Sequence, residues 1–180
     1  MATGFRYFFQ RRRESTIFAR IVPAIIAIIC LLLPKAPIGL LFGVMPVPSL
    51  LMIAIFFWAV IDDGRLPISF IFCLGLLEDF LSGTPAGLWA LALTLLHIYV
   101  STQGSTLAAR SFTTNWISFS ILSFGAYLIV YTGVSLQAGH FPPIAVILVP
   151  YIFTLIIFPM MTRFFGFLEY RLNRMQVSNI

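Results

Sequence analysis

Six apolar runs, at about 17 to 33, 46 to 61, 66 to 81, 86 to 103, 112 to 137 and 144 to 162, fill most of the chain and leave only short polar breaks between them. A run of roughly 17 to 25 apolar residues is what a helix needs to cross a bilayer. In hydrocarbon every backbone N–H and C=O must find its partner inside the protein, which restricts spanning segments to helices or a closed barrel. The runs lack the alternation of barrel strands, so the pattern predicts an all-α polytopic membrane protein with six transmembrane helices. Composition agrees: 60% of the residues are hydrophobic, 9% are charged and the mean hydropathy is +1.01, far from the balance of a soluble domain.

The breaks have local causes. Pro34-Lys35-Ala36-Pro37 ends the first run, Asp62-Asp63-Gly64-Arg65 separates the second from the third, and Gly139-His140-Phe141-Pro142-Pro143 precedes the sixth. Residues 36 to 45 are apolar but interrupted by Gly and Pro; they either extend the second helix or lie at the interface. The stretch from 66 to 103 cannot be one helix, because at 1.5 Å per residue it would reach about 57 Å, almost twice the ~30 Å hydrocarbon thickness. It must fold back at Ser82 to Pro85. Gly83 suits the left-handed position after a helix end, Thr84 suits a cap and Pro85 a first helical turn.

Orientation follows from the 11 basic residues. With six crossings and a cytoplasmic N-terminus, Arg6, Arg11, Arg12, Arg13, Arg20, Arg65, Arg110, Arg163, Arg171 and Arg174 fall on or near the cytoplasmic face, and only Lys35 falls outside. Both termini are then cytoplasmic. The net charge of +5 is spread over the flanks of apolar segments, which identifies it as a topology signal and excludes a nucleic-acid partner. The division that results is a basic N-terminal segment over 1–16, one six-helix domain over 17–168 and a tail over 169–180. The first run has no small-x-small cleavage site and is expected to be a retained span. Aromatic residues interleaved with Arg6 near the start, and Phe164 to Met175 near the end, suit anchors to anionic membrane lipid.

Only six acidic residues occur, and two of them, Glu78 and Asp79, stand inside the third run. An ionisable group within a span is costly unless paired or wet, and marks a functional position by default. Neighbours on a helix project about 100° apart, so the two cannot face each other as a catalytic dyad. The expectation is that one points into the bundle and the other reaches the headgroup region. No catalytic, metal or nucleotide-binding pattern is present, and no cofactor is implied. Cys30 and Cys73 belong to no metal-binding spacing and read as packing residues. His97 is either a proton relay or a hydrogen-bonded interior histidine. Thr113, Thr114, Asn115, Ser118, Ser120 and Ser123 either line a solute path or bond between helices. Gly83-x-x-x-Gly87 and Gly39-x-x-x-Gly43 match the close-packing motif of helices in lipid.

Phe57-Trp58 at the end of the second run, a short charged loop, and Gly75-x-x-x-Asp79-x-x-x-Gly83-x-x-x-Gly87 leading into the fourth resemble the MreD family of bacterial rod-shape-determining membrane proteins. The resemblance extends over nearly the whole chain, including the basic start and Pro159 followed by Arg163. It implies a fold similar to the substrate-binding components of energy-coupling-factor transporters, and a non-enzymatic scaffold in the bacterial inner membrane that binds MreC within the wall-elongation complex of MreB, RodA and the elongation transpeptidase. It implies a structural or partner-contact role for Gly75, Asp79, Gly83 and Gly87, to which the residues themselves add Glu78 and Pro85. The alternative is a substrate-binding membrane subunit of a small-solute transporter, which would present several convergent polar groups in a pocket. Asp62-Asp63-Gly64 and Glu78 depart from the family pattern.

Overall fold

The computed structural model describes residues 17–35, 48–62, 64–109 and 111–177. The basic N-terminal segment, Gly39, Gly43 and the stretch from 36 to 45 discussed above lie outside them. The described residues form six α-helices and no strand: α1 (Ile17–Leu32), α2 (Leu50–Ile61), α3 (Ile68–Ser82), α4 (Leu88–Ala108), α5 (Phe112–Ala138) and α6 (Ala145–Val177). Each coincides with one apolar run. The sixth runs well past residue 162, through the position where the sequence reading starts a separate tail. By length and hydropathy α5 and α6 are sufficient to cross a membrane, whereas α1 and α2 are shorter apolar helices.

At the centre stands α2. Its sequence, LLMIAIFFWAVI, is apolar on every side, the pattern of a helix enclosed all round. Ten of its twelve residues are buried. It packs against α1, α4 and α6, while α3 lies on α4 and α5 bridges α4 to α6. Phe56 of α2, Phe119 of α5 and Phe158 of α6 form an aromatic knot, with ring centroids 5.2, 5.8 and 4.3 Å apart.

The outer surface inverts the rule of soluble proteins. Ile21, Ile25, Ile28, Ile29 and Leu32 line one exposed face of α1, and Ile152, Ile156, Met160, Phe164 and Phe167 do the same on α6. Meanwhile Asp79, His97, Asn115, Ser123, Ser135, Thr154 and Glu169 are buried. Apolar patches of this extent are avoided in water and ordinary in lipid. Some of the polar groups inside bond across the bundle, and others, such as Ser123 and Ser135, bond back to a carbonyl of their own helix. Thr154 takes a bond from the Ser49 N–H at 3.0 Å and lies 3.2 Å from the Tyr127 hydroxyl, joining the start of α2 to α5 and α6.

Two prolines interrupt α6. Pro159 has no N–H to offer the carbonyl of Leu155, which would be orphaned in lipid. The indole N–H of Trp116 on α5 occupies that acceptor at 3.3 Å. One helix thus repairs the backbone of its neighbour.

Candidate functional site: the carboxylate-capped hairpin

The hairpin joining α3 to α4 is built around the side chain of Asp79, which is fully buried. A helix begins with N–H groups that have no acceptor within it. For α4 these are accounted for one by one. Leu88 donates to the carbonyl of Pro85 at 3.3 Å. Gly87 and Ala90 donate to Asp79 Oδ2 at 2.8 and 3.4 Å, and Trp89 donates to Oδ1 at 3.0 Å. The Thr84 hydroxyl adds a fourth bond, to Oδ1 at 2.8 Å. A carboxylate accepts about four such bonds, so this one is filled. Negative charge at a helix N-terminus also complements the helix dipole.

The cap expected of Thr84 therefore belongs to Asp79, with Thr84 holding the carboxylate from the side. Pro85 serves through its carbonyl and sits ahead of α4, whose first residue is Leu88. Gly83 ends α3 in the left-handed region at φ 67°, and Gly87 precedes α4 at φ 100°. Both conformations favour glycine. Neither glycine would bring a Cβ within 4 Å of another atom, so their spacing is that of two helix ends and not of a close-packing face. Close packing occurs at Gly75 instead, where a Cβ would fall 2.3 Å from the Cα of Ala90. The four-residue spacing from Gly75 to Gly87 thus resolves into a packing contact, a cap, a helix stop and a helix start.

Glu78 points elsewhere. Its Oε1 lies 2.9 Å from Lys35 Nζ and accepts from the Ser82 hydroxyl at 3.0 Å, while Lys35 also donates to Ser82 Oγ at 2.6 Å. The Lys35 cation is thus matched by the second carboxylate of the motif. Beside this trio lies a cavity of about 710 Å³ bordered by all six helices, with walls that include Leu51, Trp89, Val130, Val134 and Ile147.

At the other end of α3, Arg65 makes a two-pronged bond to Glu169 of α6, with Nη1 to Oε2 at 2.6 Å and Nη2 to Oε1 at 2.8 Å. It also reaches Asp62 at 3.4 Å and places its guanidinium 5.4 Å from the centre of the Trp58 ring. Burial acts to lower the Arg65 pKa, but the hydrogen bond and charge of Glu169, with a further contribution from Asp62, outweigh it and hold the pKa above its ordinary value. The bridge ties the loop between α2 and α3 to the last helix. Sequence reading missed it, because nothing in the spacing joins residues 104 positions apart. The available signal was Glu169 itself, an acid in an otherwise basic stretch.

The family model of rod shape-determining protein MreD matches residues 12–170, most of the chain. The chain belongs to the MreD family. Neither a curated protein nor a solved structure matches it. Membership brings membrane association and a part in determining rod shape, in a family that is structural in character. Within this MreD chain, of the site residues expected from sequence, Asp79, Gly83, Pro85 and Gly87 meet at one turn, Gly75 packs the two arms of the hairpin together, and Glu78 faces away toward Lys35. His97 is buried on α4 beside Ser101, with Nε2 3.3 Å from its hydroxyl. Of the polar start of α5, Ser120 meets the Tyr151 hydroxyl of α6 at 2.7 Å, Ser123 bonds back to the Ser120 carbonyl, and Asn115 is buried.

Proposed function

We propose that this chain is a non-enzymatic scaffold of the bacterial inner membrane, crossing it six times with both termini in the cytoplasm, and that it acts in wall elongation by binding the single-pass protein MreC. The observation that carries the reading is the state of the Asp79 carboxylate. The most conspicuous ionisable group in the apolar region has its acceptor capacity filled by the hairpin it caps. A group so engaged holds architecture and is spent as a base or ligand. The rigid α3–α4 pair then presents Leu77, Phe80 and Leu81 of α3 and Leu91, Leu95 and Ile98 of α4 outward, all exposed. A partner helix in lipid associates through van der Waals packing against such a surface.

The test is affinity purification of the tagged chain from native membranes, with co-purifying proteins identified. MreC, and through it MreB, RodA and the elongation transpeptidase, should be recovered. Bulky polar replacement of Phe80, the most exposed of the six at 75%, should deplete MreC from the eluate while the protein itself remains in the membrane. Recovery of the chain without MreC under conditions that preserve the rest of the complex would refute the reading. Reporter fusions at each end test the topology, and a periplasmic signal from either terminus would overturn the six-span arrangement.

A further inference from the structure

We propose that the cavity beside the hairpin binds one zwitterionic, primary-ammonium phospholipid, with an acyl chain between the helices and its headgroup on the Lys35–Glu78 pair. The inference requires that the bundle sit in lipid and is independent of any protein partner. At about 710 Å³ the cavity is within the size range of small-ligand sites, roughly 300–1,000 Å³. A water-sized group occupies about 30 Å³, so the space suits a full acyl chain and part of the glycerol backbone.

Its chemistry is divided. The inner walls are Leu50, Leu51, Val130, Val134 and Ile147. The hydroxyls that also border the cavity are engaged within the protein: Tyr131 donates to the Pro142 carbonyl at 2.8 Å, Tyr127 pairs with Thr154 at 3.2 Å, and Thr84 donates to Asp79 at 2.8 Å. A sugar or other polyhydroxylated solute would find few groups to read it. What remains is the ion pair. Lys35 has three N–H donors and directs two of them at Glu78 and Ser82, leaving one. Among the described residues, Glu78 Oε2 accepts no hydrogen bond. Their side chains are 28% and 14% exposed, open enough to meet a ligand. One spare cationic donor beside one spare anionic acceptor is complementary to a phosphate linked to an ammonium. A free anion is disfavoured by the same arrangement, because the charge of Lys35 is already answered by Glu78.

The experiment is native mass spectrometry of the full chain, released from detergent after equilibration with equimolar dioleoyl phosphatidylethanolamine, phosphatidylcholine and phosphatidylglycerol. One retained lipid per chain is expected, with phosphatidylethanolamine favoured about tenfold over the other two, the order that one hydrogen bond to a charged group supports. Phosphatidylcholine carries the same charges but no N–H for Glu78. Ala145→Trp, at the exposed start of α6 where it borders the cavity, should abolish retention. Glu78→Gln leaves the cavity volume nearly unchanged and should shift the preference to phosphatidylglycerol, since it uncovers the charge of Lys35. Independently, Trp89 in a Trp58→Phe, Trp116→Phe background should be quenched by phosphatidylethanolamine with brominated chains at low mole fraction, and less so once Ala145→Phe is added, which fills the same space without a second indole. No retained lipid, retention unaffected by Ala145→Trp, or a headgroup ranking unchanged by Glu78→Gln would each overturn the proposal.

Discussion

Replacing Asp79 with alanine removes the acceptor of four hydrogen bonds at once. The Thr84 hydroxyl can rotate toward another acceptor, and the Gly87 N–H is at the edge of the turn. The Trp89 and Ala90 N–H groups are both in buried surroundings and have no intrahelical alternative. A buried donor left unpaired costs about 1–3 kcal/mol, so two place the loss in the range of about 2–6 kcal/mol. Removing a charge from apolar surroundings returns part of this, which puts the expectation near 4 kcal/mol. Asp79→Asn keeps one acceptor oxygen but turns an NH₂ toward backbone donors, and should lose roughly half as much. Asp62→Ala is the control. Asp62 accepts from Gly64 N–H at 3.1 Å and Arg65 Nε at 3.4 Å, with its side chain 34% exposed. It should cost under about 1 kcal/mol. Reversible unfolding in mixed micelles gives the three values, and hydrogen exchange at Gly87, Trp89 and Ala90 locates the change. If Asp79→Ala matched Asp62→Ala, or if those three amides kept their protection, the capping argument would fail.

Gly75→Ala should cost about 1–3 kcal/mol or more, because both sides of the contact are backbone and neither can swing away; Gly125→Ala, with nothing within 4 Å, should gain about 0.5–1 kcal/mol in the same unfolding assay. Arg65→Ala takes the two-pronged bond away from the buried Glu169 and should cost about 3–5 kcal/mol, whereas Arg65→Met combined with Glu169→Leu should recover much of the loss in a double-mutant cycle. The pKa of Arg65 is raised in the folded chain, so its contribution is complete below the ordinary arginine value and is lost only as pH rises through the still higher folded one. Titration of Arg65 should therefore add no slope to stability between about pH 7 and pH 10, and a difference in slope between wild type and the Arg65→Met, Glu169→Leu double variant over that interval would contradict it. Trp116→Phe should destabilise by about 1 kcal/mol, the worth of one hydrogen bond, and a Pro159→Ala background should abolish that difference by restoring an N–H to the Leu155 carbonyl.

All six helices were legible in the chain because each depends on local information: an apolar run and the Gly, Pro or charge that ends it. The fold-back at Ser82 to Pro85 followed from length alone, since no single helix of that size fits a bilayer. Less was readable where the deciding contact crosses the bundle. Thr84 has the chemistry of a cap, and only the path of α3 past the start of α4 brings Asp79 close enough to take that place. Gly83 and Gly87 have the spacing of a packing face, yet the turn between them puts the two on different helices. Arg65 found Glu169 through the packing of α6 against α2, a relation that no spacing rule encodes. The reach of α6 to Val177 was obscured because its final turns are charged and no longer resemble a span.

The short sequence distance between Asp79 and its donors has a consequence for biosynthesis. Thr84, Gly87, Trp89 and Ala90 follow it by 5, 8, 10 and 11 residues. At about 5–20 residues per second, the ribosome delivers all four within roughly two seconds of the acid itself. The hairpin can therefore close before its two arms leave the aqueous path of the insertion machinery. In the six-span arrangement proposed above, the carboxylate would then enter hydrocarbon already covered by the donors of its own hairpin. Arg65 has no such local partner: Glu169 is made some hundred residues later, so this bond closes only after the last helix has been synthesised.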